Sequence, residues 1–547
     1  MTADPATPRR RLRHRVPLSL RKHWRLLALS VAALVVVVIF LGDTRIRPYI
    51  TADTDVITSP ITQNVVGTVE LFDPSVAHEI RLDIDEVEYA RMIDAFERNG
   101  DKDWVTADLT IDGEFINDVA VRLKGNSTLM GLRGEDAAPG GGPGGRFGAG
   151  GPPAMPEGME PPAGMPEMPE GMAPLEGMPQ MPEGMEMPAA GEMPQMPGGM
   201  APPGMDAGIS ADDPSSLPLL ISFDHTYEGR AYQGMTELSV RPGTPVLNEA
   251  VALEMTAATG QVSQRYAYSE FSVNDGPTTT RLVLEHPDDG YVSSAFDGPG
   301  YLYKADANSR FEYVGQDQSD YADQFTAINS KDQGTLQPVI DLLEWMDSAS
   351  DEEFAAELDE WVDVESFAEY LATQNLLSNF DDMAGPGQNY YLWYSLDDRK
   401  FTVVSWDLNL AMSGDTGTGP QDTVSMAPPG EATGMPGEAT APAGGAPAPP
   451  GGAAEIPADG PRGPAMGHPL KTRFLESTAF TDLYEQAYWE LYDQIYGSGL
   501  AAQTLDALRG IFPLTDGVDQ ATLDEEATTL RTWIDERTAA LAQKRPA

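Results

Sequence analysis

The alternation of apolar and polar positions begins in earnest near residue 79. In "EIRLDIDEVEYARMIDAFERNG", Ile80, Leu82 and Ile84 recur every second position, and Val87, Tyr89, Met92, Ile93 and Phe96 then take helical spacing up to Gly100. That pattern predicts a strand running into a helix. "WVTADLTIDGEFINDVAVRLKGNST" predicts a hairpin turning at Asp112-Gly113,. "LPLLISFDH", "AYSEFSVND", "TTRLVLEH" and "GYLYKAD" predict further strands. "TPVLNEAVALEMTAATG" predicts a helix opened by Thr244, with Pro245 in its first turn and Gly260 at its end,. "LQPVIDLLEWM", "DEEFAAELDEWV" and "DVESFAEYLATQNLLSNF" read as helices, "QNYYLWYSL" and "KFTVVSWDL" as a strand pair turning at "DDRK", and the tail from "FLESTAF" onward as helical. A β-rich first half and a helical second half predict a two-lobed α+β fold.

Three stretches stand outside that pattern. Leu26–Gly42 is a continuous apolar run that spans roughly 25 Å as a helix, close to the ~30 Å of a hydrocarbon core,. Residues 1–25 carry eight Lys or Arg and one Asp, so the expected topology is a cytoplasmic basic tail (1–25), a transmembrane anchor (26–42) and an extracytoplasmic remainder behind a linker (43–70),. A cleaved signal peptide is the competing reading, against which "FLGDTR" offers no small-x-small site. Residues 134–213 and 413–467 are dominated by Met, Pro, Gly and Ala, and both are expected to be disordered inserts,. They divide the foldable chain into 71–133, 214–412 and 468–547. The Met-Pro repeats of the first insert also raise soft-metal binding by thioethers, chiefly of Cu(I).

Net charge is −50 over 547 residues, which argues against nucleic acid as a partner,. The absence of cysteine excludes disulfides and thiolate chemistry,. Histidine is scarce, and no Walker-type phosphate loop occurs.

The candidate chemistry gathers at strand ends. Asp407 ends "KFTVVSWDL", and Asn379-Phe380-Asp381 is placed at the end of a helix, with Asn389 shortly after it. An antiparallel pair has neighbouring open ends, so the Asp381–Asn389 loop and Asp407 are expected to meet. Two carboxylates and an amide oxygen are hard donors suited to Mg²⁺ or Mn²⁺ with a phosphate-bearing ligand. Lys124 and Lys304, each at a strand, are candidates to neutralise phosphate oxygens. Taken singly, an Asp at a strand end is more often a turn or capping group, and a lone lysine an exposed charge.

"VRLKGNS", "LLISFD", "YLYKAD", "NFDDMAGPGQNYYLWY" and "VVSWDLNLA", in that order, resemble the CotH family, spore-coat-protein-H-like proteins of an atypical protein-kinase-like fold. The resemblance implies a nucleotide-dependent transferase using ATP and Mg²⁺ or Mn²⁺. It matches Asp381 to the family's catalytic-loop acid and Asp407 to its metal-binding acid. Lys304, Lys124 and Glu285 match its nucleotide-facing lobe, and Glu249 becomes the candidate ion-pair partner of a nucleotide lysine. Asn248 stands where the family commonly has Arg. The expected acceptor is an envelope or surface protein; the alternative is a non-catalytic surface module that keeps the fold.

Overall fold

The computed structural model describes residues 60–74, 76–125, 127–132, 208–330, 335–424 and 467–546. The apolar run 26–42 and most of both inserts lie outside these residues. Among the described residues no helix is long and apolar enough to cross a membrane.

The first half builds a closed seven-stranded barrel. Its strands are β2 (His78–Ile84), β3 (Val105–Ile111), β4 (Glu114–Leu123), β5 (Leu219–Ser222), β7 (Glu237–Val240), β8 (Tyr266–Val273) and β9 (Thr279–Glu285), in the order β2-β3-β4-β5-β7-β9-β8. Parallel pairing of β2 with β8 closes the ring. The two short strands β1 (Gln63–Val65) and β6 (Arg230–Tyr232) pair with each other outside it. Asp112 and Gly113 both take positive φ, as a two-residue hairpin with the strands' right-handed twist requires,. Ile80, Leu82, Leu109, Val121, Leu123, Leu219, Val240 and Val283 fill the interior, while α1 (Glu86–Asn99), capped by Asp85 and closed by Gly100, adds Met92, Ile93 and Phe96.

A second, antiparallel sheet follows the order β11 (Phe325–Ala327), β10 (Gly300–Ala305), β12 (Tyr390–Ser395), β13 (Phe401–Ser405). The expected pairing of the last two is present, with Tyr390 opposite Ser405. Both faces of this sheet are buried. Tyr303, Tyr390, Leu392 and Val403 join the large helical core, whereas Leu302, Tyr391, Trp393 and Val404 form a smaller cluster with Trp406. Lys304 sits opposite Tyr391, on the Trp406 side.

The helices are α2 (Leu247–Ala258), α3 (Asp289–Ala295), α4 (Gln337–Ser348), α5 (Asp351–Glu357), α6 (Val364–Leu376), α7 (Pro469–Glu476), α8 (Thr481–Tyr492), α9 (Leu500–Ile511) and α10 (Gln520–Lys544). The architecture is mixed α+β, as the periodicity predicts.

Several boundaries move. Helix α2 starts at Leu247, not Thr244; Val246 occupies the cap without a side-chain bond, and Asn248 spends its amide on the carbonyls of Asn409 and Ala411 at 2.7 and 3.1 Å. Helix α6 ends at Leu376, because Ser378 turns to positive φ before Asn379. Asp213, placed by composition in the first insert, caps a 3-10 turn at Pro214–Ser216. Residues 413–424, placed in the second, are held by polar groups from elsewhere. The Arg537 guanidinium, fully buried on α10, donates to the carbonyls of Thr416 and Thr418, and Asn375 donates to that of Gly419 at 3.0 Å. Composition registers self-packing only, so tertiary hydrogen bonds of this kind escape it.

Candidate active site

Strand alternation sets the site. Val121, Leu123, Leu219 and Val240 face the barrel interior, so Arg122, Leu220 and Ser239, aligned across β4, β5 and β7, share the opposite face with Lys124, Glu237 and Arg241,. On that face Lys124 donates to Ser239 Oγ, and its ammonium lies 5.1 Å from the Trp406 ring.

Arg241, one residue past β7, is the hub. Its Nε donates to Glu249 Oε1 at 3.0 Å and its Nη2 to Asp407 Oδ1 at 2.6 Å. Glu249 belongs to α2 and is fully buried, and its Oε2 has no hydrogen-bond partner among the described residues. Glu249 therefore pairs with an arginine rather than with the lysine expected of it. Burial lowers the pKa of Arg241, but Asp407 and Glu249 outweigh it and raise the value above the ordinary range. Burial pushes the Glu249 carboxyl up against the pull of Arg241.

Asp407 follows β13 in a left-handed conformation (φ 55°, ψ 63°) and keeps 28 % side-chain exposure. A non-glycine residue held there costs roughly 1 kcal/mol or more, so the surroundings fix it. Burial raises its pKa, yet Arg241 and Lys124 prevail and hold it below the usual carboxylate range. Burial and the neighbouring Arg241 depress Lys124 to about 7.

Asp381 lies in the loop after α6. A relay of amides ties that loop to β13: Asn379 donates to Gln374 Oε1 at 2.8 Å, and Gln374 donates to Ser405 Oγ at 2.8 Å, two residues before Asp407. Both Asp381 oxygens are held, Oδ1 by the Gly387 N–H at 2.6 Å and Oδ2 by the Asn389 amide at 2.9 Å. The glycines of "GPGQN" permit this wrap. A Cβ on Gly385 would lie 2.5 Å from Asp381 Cα, and one on Gly387 would lie 2.7 Å from both Asp381 Oδ2 and Asn389 Nδ2. Burial lifts the Asp381 pKa to about 6, with the negative charge of Asp407 adding to the rise and the Gly387 and Asn389 hydrogen bonds opposing it.

The structure thus gathers Lys124, Glu249, Asp381 and Asp407, with Lys304 near enough to act electrostatically on Lys124 and Asp407. Asn389 arrives through Asp381. Glu285 does not join them: its carboxylate is clamped by Arg265 at 2.7 and 3.0 Å. The residue missed from sequence is Arg241. In "SVRPG" it reads as a charge at a turn, and its partners lie 8 and 166 positions away. Asp382 carries no sequence signal apart from its neighbour Asp381; it is buried and paired with Lys471.

The donor chemistry fits a divalent cation carried with a phosphate ligand. Among the described residues no three His, Asp or Glu side chains form a cage for a metal ion. Asp407 offers a depressed-pKa carboxylate flanked by cations, the setting in which Mg²⁺ takes one or two carboxylates and completes its shell with phosphate oxygens and water,.

A model of the CotH kinase protein family matches residues 242–541, more than half of the chain, spanning Glu249, Glu285, Lys304, Asp381, Asn389 and Asp407 and beginning just after Arg241. No curated protein matches the chain. Among solved structures it is similar to the crystal structure of a Helicobacter pylori proinflammatory kinase, CtkA, at 11 % identity and a TM-score of 0.27, over 60 % of this chain and 91 % of that one. So distant a likeness transfers nothing to these residues.

Proposed function

The chain belongs to the CotH kinase protein family, and from that premise we propose that it is an ATP- and Mg²⁺- or Mn²⁺-dependent phosphotransferase acting on a hydroxyl of an envelope or surface protein. The observation that supports this most is the meeting of Asp407, Arg241, Glu249 and Lys124 at the mouth of one barrel face, beside the loop that carries Asp381.

In this reading Asp407 holds the divalent ion, with Asn389 the candidate amide donor beside it. The bound ion would neutralise charge on the transferring phosphoryl group. Lys124 and Lys304 supply positive charge toward the phosphates, and Arg241 braces Asp407 against Glu249. Asp381, with a pKa of about 6, is ionised at neutral pH and remains basic enough to take the proton of an acceptor hydroxyl,. Gly387 and Asn389 fix the direction of its oxygens. The apolar run 26–42 tethers the domain to the outer face of a membrane.

A second reading, a binding module without turnover, draws support from Arg241, which already engages Asp407 Oδ1. Labelled ATP and Mn²⁺ given to the full-length protein separate the two. Metal-dependent transfer that vanishes in both Asp381→Asn and Asp407→Asn supports the kinase. A nucleotide-induced thermal shift without transfer supports the module, and absence of both removes ATP from the account.

A further inference from the structure

The loop that carries Asp381 is tied to β13 at its beginning, through the Asn379–Gln374–Ser405 relay. The bonds from Gly387 and Asn389 orient the Asp381 oxygens, but both come from within the loop. They set the carboxylate against its own loop and do not fix the loop against the rest of the protein. That second anchorage comes from α7 and the two residues before it. Lys471, 89 positions beyond Asp382, pairs through its ammonium with Asp382 Oδ2. The Gly467 N–H donates to the Ala384 carbonyl at 2.9 Å. Buried His468 places its Nε2 3.1 Å from Tyr390 Oη, at the start of β12. Contacts at residues 382, 384 and 390 thus bracket the span that holds Gly387 and Asn389.

Asp382 passes the restraint on. Its Oδ1 accepts from the Ala384 N–H at 2.8 Å, and its carbonyl accepts from the N–H groups of Gly385 and Asn389 at 3.1 and 3.3 Å. Asn389 in turn holds Asp381 Oδ2. Helix α7 is a firm base for this: Leu470 and Phe474 are buried in the helical core, and Arg473 donates to the carbonyls of Met346 and Ala349, where α4 ends, both at 2.9 Å. The Asp382 side chain keeps only 4 % exposure, against 27 % for Lys471. A carboxylate so buried is costly without its counter-charge, so Lys471 decides where Asp382 sits. With Lys471 gone, Asp382 turns toward water and draws the backbone bonded to it along.

We propose that Lys471 is a positioning residue: by pairing with Asp382 it clamps the Asp381 loop to α7 and keeps the Asp381 carboxylate turned to the acceptor hydroxyl. This rests on the kinase reading for what the loop delivers, though not for the clamp itself. It gives the helix that follows the second insert a part in turnover without contact to substrate.

The test compares the full-length protein with Lys471→Met, Lys471→Arg and the neutral pair Lys471→Met/Asp382→Asn, using Mn²⁺-ATP and casein as acceptor. Lys471→Met lowers kcat about ten- to a hundredfold, the scale of a misplacement near 1 Å, and leaves KM for ATP unchanged. Lys471→Arg restores most of kcat. The neutral pair regains the wild-type melting temperature, since no charge is stranded, but not the wild-type kcat. Hydrogen exchange in Lys471→Met quickens over 382–389 alone. Wild-type kcat in Lys471→Met or in the neutral pair overturns the proposal. So does an arginine variant no better than the methionine one, or a KM for ATP that rises in step with the loss of kcat. If the wild type transfers no phosphate, the kinase reading falls and exchange decides the clamp. Faster exchange over 382–389 in Lys471→Met, reversed in Lys471→Arg, keeps it, and unchanged exchange removes it.

Discussion

Arg241 Nη2 lies 2.6 Å from Asp407 Oδ1 across 166 residues of chain, while the same guanidinium holds the buried Glu249. One arginine therefore joins the barrel, helix α2 and the end of β13, and any account of the site passes through it.

Replacing Arg241 by Ala leaves two carboxylates facing each other, one of them fully buried. The expected loss is about 3–5 kcal/mol of stability, since breaking a buried pair strands its partner. Thermal unfolding measures it. Arg241→Lys recovers only part, because an ammonium lacks the fork that spans both acids.

Activity should rise with pH through about 6. Asp381 accepts a proton only when ionised, and its carboxyl is raised to about 6 by burial. Because the folded-state value lies above the unfolded one, the same group favours the fold at low pH and weakens it as pH climbs from about 4 to 6. A kcat/KM profile that stays flat between pH 5 and about 7 contradicts the assignment. Asp381→Asn lowers kcat by about a hundred- to ten-thousand-fold, within the usual range for a general base.

Lys124 predicts the opposite trend in binding. With its pKa near 7 from burial and Arg241, it sheds its proton just above neutrality, so affinity for ATP falls as pH passes upward through about 7. Equilibrium titration of nucleotide across that window checks this. Lys124→Met should weaken binding and remove its pH dependence.

Gly387→Ala pushes a methyl into the contact between Asp381 and Asn389. The expected result is about a tenfold or greater loss of kcat, roughly 1.4 kcal/mol in the barrier, with binding of metal-free ATP unchanged. Single-turnover kinetics alongside a binding titration separates the two effects.

Arg537→Met removes the guanidinium donors to the carbonyls of Asn375, Leu376, Thr416 and Thr418; Ser378 N–H and Tyr496 Oη still serve the first two, which leaves those of Thr416 and Thr418 without their donor. Each buried acceptor left unpaired costs about 1–3 kcal/mol, so a drop in melting temperature of several degrees is expected. The segment after Asp407 should lose hydrogen-exchange protection first.

The sequence by itself determined the elements. Period-2 and helical spacing located β2, α1, the β3–β4 hairpin and the β12–β13 pair, because each buries one face against a core and the pattern records that face. It also exposed Asp381, Asp407 and the two lysines, since polar groups ending apolar strands stand out. Only the tertiary structure decided which charge answers which. Closure of the barrel by β2 against β8, the joining of Arg241 to Asp407 as well as Glu249, the diversion of Glu285 to Arg265 and the anchoring of residues 416–419 by Arg537 and Asn375 all join groups that no local pattern links. Local hydrophobicity leaves a strong periodic trace, whereas an ion pair or a carbonyl clamp is a single contact between two points, and one sequence carries no periodicity from which to read it.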